Sequence, residues 1–135
     1  MNPASAPKSG HDRGAITVVV MFLLIIALMG AGLVVDGRRV MVARRHAYNT
    51  AEAAARAGVA TATPMSGFSP TRARAAALDY AIRSGVAPAD VSVRVTATRV
   101  FVTITERRHT VFLILGGMET VTVRVTGSAR LAYST

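Results

Sequence analysis

Cysteine and tryptophan are absent from this 135-residue chain, seven residues are acidic and three are histidine. Without cysteine there is no disulfide staple, no thiol nucleophile and no thiolate metal site. The histidines (His11, His46, His109) fall at no metal-ligand spacing, and no HExxH-type signature occurs. The carboxylates never cluster, so nothing points to the converging pair that acid–base hydrolysis needs. Serines occur singly, outside any nucleophile elbow. Catalysis therefore has no candidate residue, and neither a metal nor an organic cofactor is expected. Aromatics are Tyr48, Tyr80, Tyr133 and four phenylalanines, too few to build a stacking platform for bases. The formal charge is +9, carried by arginine with Lys8 as the one lysine. Such a surplus attracts anionic partners in principle, but here it is spread along the chain as a solvated surface, and nucleic acid is not an expected partner.

Charge itself is missing from one stretch. Between Ile16 and Val35 stand twenty uncharged residues, ITVVVMFLLIIALMGAGLVV, with Arg13 before them and Arg38 and Arg39 after. A helix of that length covers roughly 30 Å, the hydrocarbon thickness of a bilayer. Its backbone pairs internally, as lipid demands. The run is longer than the h-region of a secretory signal, and the residues beyond it do not form the usual small-residue cleavage context. A retained membrane anchor is the expectation, with the lipid bilayer as its first partner.

Three regions follow from the composition. Residues 1–14, rich in Pro, Ser and Gly, read as a leader or a disordered cytoplasmic tail. Residues 15–62 read as the transmembrane helix with an Ala-rich extension, proline-free until Pro64. In the extension, Val40, Ala43, Ala47, Ala51, Ala54 and Gly58 recur at three- and four-residue steps, a small-residue stripe suited to close helix packing. Glu52 and Arg56 are spaced for an i,i+4 pair, and Gly37 is a possible bend point. Residues 63–135 read as a small α+β extramembrane domain. Thr71 is the expected cap of a second helix ending near Gly85, with Ala75, Leu78, Ala81 and Ile82 as its apolar face.

Beyond Pro88 the period changes to two. VSVRVTA, RVFVTITE and METVTVRVTGSARLAY alternate apolar with polar residues, the mark of half-buried antiparallel strands. Between the second and third lies TVFLILGG, too short to cross a membrane and expected to be a core plug or a short helix lying over the sheet. The fold class is thus α+β: a long N-terminal helix extended beyond the membrane, one further helix, and an antiparallel sheet of about three strands.

The order Arg13-Gly14, apolar run, Asp36-Gly37-Arg38, then Ala51-Glu52-Ala53-Ala54-Ala55-Arg56-Ala57-Gly58 resembles the TadE/TadG-like pilus-assembly family, pilin-like membrane proteins of the tight-adherence (Flp) secretion machinery. The distal half resembles it in outline through Val100 to Ile104, Phe112 to Gly116 and Val121 to Ala129. The resemblance implies a structural minor pilin-like or pseudopilin-like component whose partners are other pilin-like subunits or pilus-assembly membrane proteins. It also implies cleavage by a prepilin peptidase between Gly14 and Ala15. The fifth mature residue is then Val19, where many members carry glutamate. Asp36, Arg38, Arg39 and Glu52 are the candidate subunit-docking residues, and Asp36 is also spaced to pair with Arg39.

The arginines after the span, by the positive-inside rule, point the C-terminal domain toward the cytoplasm. The resemblance implies the opposite, a single-pass protein of the cytoplasmic membrane with an extracytoplasmic head, and the valine–threonine alternation agrees with an exported domain. The alternative reading is a stand-alone bitopic protein whose basic juxtamembrane helix binds anionic lipid or a protein partner. A third is a membrane-bound regulator or subunit of an enzyme, acting through its head.

Overall fold

A 50-residue helix, α1 (Gly10–Val59), organises the molecule. The computed structural model describes residues 10–132; most of the expected tail and Tyr133 of the last expected strand lie outside them. At 1.5 Å per residue α1 is about 75 Å long. It starts inside the region expected to be tail and runs through Gly37 unbroken, so the bend allowed there is not used. Alanine, the strongest helix former, is its commonest residue, and no proline interrupts its hydrogen-bond ladder.

The chain then turns through Thr61–Ser69 into α2 (Pro70–Arg83). The cap is Ser69, whose hydroxyl accepts from the Arg72 N–H, with Pro70 in the first turn; the expected Thr71 cap is corrected by one Ser-Pro step, a favoured helix start. The helix closes at Ser84, and Gly85 takes a φ of 90°, the left-handed turn expected of it. The buried face is Ala73, Ala77 and Ala81. Of the expected face only Ala81 is buried, while Ile82 is exposed. Close approach decides this: a Cβ on Gly58 of α1 would meet the Ala73 carbonyl oxygen at 2.8 Å, a spacing that admits alanine and excludes larger side chains.

Three strands complete the fold: β1 (Val91–Val95), β2 (Arg99–His109) and β3 (Thr120–Arg130). They form one antiparallel sheet in the order β1-β2-β3, as the period-two pattern predicts. Val93 pairs with Val102, Val102 with Gly127, and Ile104 with Val125, so one face carries an apolar layer. The opposite face carries Arg94 over the Phe101 ring, 4.9 Å from its centroid, and a Thr103–Thr126 hydroxyl contact of 2.8 Å.

The core lies between the inner sheet face and the far half of α1, with α2 alongside. Its members are Ala47, Ala51, Ala54 and Ala55 from α1, Val100, Val102 and Ile104 from β2, and Val123 and Val125 from β3. The helical stripe was correctly phased, but it lies against the chain's own sheet and α2, not against a neighbouring anchor helix. Gly127 makes this contact possible, since a Cβ there would lie 2.3 Å from the Glu52 amide nitrogen.

Candidate assembly and membrane-boundary site

The two halves of α1 meet different surroundings. From Ile16 to Val35 the large apolar side chains are exposed on every face. Length and composition make this segment a candidate single membrane span. From Asp36 onward one face is buried, in the series Asp36, Ala43, Ala47, Ala51 and Ala54. The boundary falls at Asp36, whose side chain is 1% exposed.

Asp36 is held by a segment distant in sequence. Its Oδ1 accepts the Val111 N–H at 3.1 Å, and its Oδ2 accepts those of Phe112 at 2.8 Å and Leu113 at 2.9 Å. These amides open a 3-10 turn, Leu113–Gly116, at the tip of the β2–β3 hairpin. A carboxylate collecting three backbone donors is stabilised in its charged form. The Leu113 N–H has the largest effect in holding the Asp36 carboxyl below its ordinary range; burial opposes it, and the Phe112 and Val111 amides and the Arg39 charge assist. The expected Asp36–Arg39 relation is thus a field effect and not the main partnership.

One turn earlier, Phe112 lies on Gly32: a Cβ there would come within 2.4 Å of the Phe112 ring. The piece TVFLILGG is therefore neither a core plug nor a cover for the sheet. It folds back on α1 at the end of the apolar run and leaves Val111, Phe112, Ile114, Leu115 and Met118 exposed. Periodicity carries no signal of this docking, because it depends on where the hairpin tip meets the helix.

Basic residues gather beside that contact. Arg38 and Arg39 of α1 and Arg107, Arg108 and His109 of β2 line one recess of about 680 Å³ with Val35, Val42 and Ala43. Arg107 also reaches Asp90 at 3.2 Å, and Arg108 reaches Glu106 at 2.5 Å. Arg38 and Arg39 stand out in the sequence as a basic pair after the span, but nothing local brings them beside Arg107 and Arg108. A second recess, about 1050 Å³, lies on the other side of α1 between Arg38, Arg44, Arg45 and Tyr48 and the β3 residues Arg124 and Thr126.

The sequence candidates are spread along α1. Gly14 and Ala15 lie in the second turn of α1 and are exposed. Ile16 and Val35, the ends of the run, are exposed as well. Arg38 and Arg39 are exposed, free to meet another molecule. Glu52 is engaged within the helix: its carboxylate accepts from Tyr48 at 2.9 Å and from Arg56 at 3.0 Å. The Tyr48 hydroxyl is pushed up in pKa chiefly by that hydrogen bond, then by the Glu52 charge.

Residues 14–62 match the family model described as putative Flp pilus-assembly TadE/G-like. The matched segment begins at Gly14 and ends just past α1, so it comprises the candidate span together with the helical half that carries the head. No curated protein and no solved structure matches the chain. The match covers the segment that carries the resemblance: Gly14, the apolar run, Asp36-Gly37-Arg38 and the Ala-rich block.

Proposed function

We propose that this protein is a structural, minor pilin-like component of a Flp-type pilus or related secretion apparatus, anchored in the cytoplasmic membrane and acting through helix packing and protein–protein contacts. The observation that carries this reading is the coincidence of the family match with α1: the pilus-assembly segment is one helix, apolar and bare in its first half and welded to a head in its second. Ile16 to Val35 spans the membrane, residues 1–14 act as the leader, 15–62 as anchor and stalk, and 63–135 as the extracytoplasmic head. Gly30 and Ala31 stay open for close helix approach in lipid, whereas Gly32 is covered by Phe112. Contacts with other subunits fall to the bare face of the span and to the exposed arginines Arg38 and Arg39, because the small-residue stripe is already covered. Chemistry plays no part in this role, which needs neither a cofactor nor a catalytic group.

The experiment is intact mass and N-terminal sequencing of the protein from its native membrane, with and without prepilin peptidase. A chain starting at Ala15 only when the peptidase is present supports pilin-type processing despite Val19, and with it an extracytoplasmic head. An unprocessed chain in both samples refutes the filament-subunit form. It would leave the stand-alone anchored protein, a reading favoured by the Arg38–Arg39–Arg107–Arg108 recess as a site for anionic lipid headgroups.

A further inference from the structure

Resting on the reading of α1 as a membrane span, we infer that the β2–β3 hairpin tip, residues 111–118, is a second membrane contact: an apolar wedge that enters the same leaflet from which α1 emerges. The tip lies at the right depth. Phe112 sits on Gly32, inside the uncharged run, one turn before Asp36. That turn corresponds to about 6 Å along the helix, within the roughly 5–10 Å to which interfacial apolar elements sink. Wherever α1 crosses the hydrocarbon boundary near Val35, the tip is carried below it.

Its composition is apolar throughout. Val111, Phe112, Ile114, Leu115 and Met118 are exposed, Leu115 to 79%, and no charged residue stands from Thr110 to Met118. Five large apolar side chains facing water within eight residues form a patch that a soluble loop avoids. The patch is continuous with the exposed apolar surface of α1, whose solvent is lipid, and this fixes the occupant as acyl chain.

The backbone of the tip also suits lipid. Irregular chain is excluded from lipid by unpaired N–H groups, and here those of Val111, Phe112, Leu113, Leu115, Gly117 and Met118 are paired. Asp36 takes the amides of Val111, Phe112 and Leu113. Leu115 donates to Phe112, Gly117 to Ile114, Met118 to Leu113 and Thr110 to Glu119, while the Thr110 hydroxyl donates to the Met118 carbonyl. Gly117 makes the closing turn at a φ of 84°. Just above the tip, Arg38, Arg39, Arg107, Arg108 and His109 line their shared recess, at the height of the headgroups, where basic side chains reach phosphate. The boundary carboxylate thus serves to make a re-entrant loop tolerable in lipid, and the head rests on the membrane as a second foot beside its anchor.

The chain contains no tryptophan, so a single introduced indole reports its own depth. The full chain is reconstituted in phosphatidylcholine vesicles with a minority of phosphatidylglycerol, the lipid brominated either near the headgroup end or near the chain terminus. Leu115→Trp, with Met118→Trp as a second wedge probe, is compared with Phe22→Trp in the span and Tyr80→Trp on α2. Both wedge variants should lose most of their emission to shallow bromine and emit at shorter wavelength than Tyr80→Trp. Phe22→Trp should be quenched most by deep bromine. Wedge probes that match Tyr80→Trp while Phe22→Trp is quenched would overturn the wedge and leave the span intact, showing a patch kept for a protein partner. An unquenched Phe22→Trp would overturn the span, and the wedge with it.

Discussion

Adding one methyl group at Gly127 should break the joint between head and stalk. Gly127 lies in the middle of β3, opposite Val102 in the sheet register, with its missing side chain aimed at α1. A Cβ there would stand 2.3 Å from the Glu52 nitrogen, 2.5 Å from the Ala51 carbonyl carbon and 2.8 Å from the Glu52 Cα. Comfortable carbon–carbon contact is about 3.5–4.0 Å, so helix and strand must separate by roughly 1 Å. Every obstructing atom is backbone, and no rotamer change relieves the clash. Separation also loosens Ala51, Ala54, Val100 and Val102, which are fully buried. Overpacking a core costs about 1–3 kcal/mol and occasionally more; with a rigid obstacle, Gly127→Ala belongs at about 3 kcal/mol, a large part of the few kcal/mol that hold a small domain together. The assay is denaturant unfolding of the full chain in a mild detergent, with amide exchange at Val102 and Ile104 marking the core. Gly37→Ala is the control: nothing lies within 4 Å of its added Cβ, and a mid-helix Gly→Ala change should stabilise by up to about 1 kcal/mol. A Gly127→Ala protein within about 0.5 kcal/mol of the parent, the range of an inert surface change, would refute this account of the interface.

Three further outcomes are expected. Ile104→Ala, removing the largest fully buried side chain, should cost about 2–5 kcal/mol of head stability, read in the same unfolding experiment; a change below that range would mean that α1 collapses onto the sheet. Asp36→Ala should release the amides of Val111, Phe112 and Leu113 to hydrogen exchange while leaving those of Val102 and Ile104 protected, and uniform loss of protection would show that Asp36 holds the whole head. Because the folded-state pKa of Asp36 is depressed, its contribution is present above the unfolded value of about 3.9 and disappears as pH falls through the folded value. Protection of the three amides should therefore be unchanged from neutral pH to about pH 5 and fail only below the ordinary carboxylate range; loss near neutrality would contradict the hydrogen-bonded geometry.

Local pattern alone determined much of this protein. Twenty uncharged residues can only be a long apolar helix with lipid-compatible length, and alternation over Val91–Val95, Val100–Ile104 and Val121–Ala129 can only be strands with one buried face. The helix carries its own hydrogen bonds and the strands carry a period of two, so neither needed a partner to be recognised. The stripe from Val40 to Gly58 was legible for the same reason, and so was the likeness of residues 14–62 to the TadE/G-like family model, since its marks are contiguous in the chain.

Tertiary structure decided what these surfaces touch. Periodicity identifies an apolar face but says nothing of its occupant, and the stripe that suits a second helix suits a sheet equally well once Gly127 removes the obstructing Cβ. The α2 face was misassigned because large side chains carry the stronger apolar signal, whereas the available gap beside Gly58 admits only alanine. Asp36 read as a boundary charge near Arg39; its actual partners are three amides 75 or more residues away, brought to it by the length of β2 and the place where that strand crosses α1. Contacts of that separation are set by how rigid elements dock, and no local sequence window contains them.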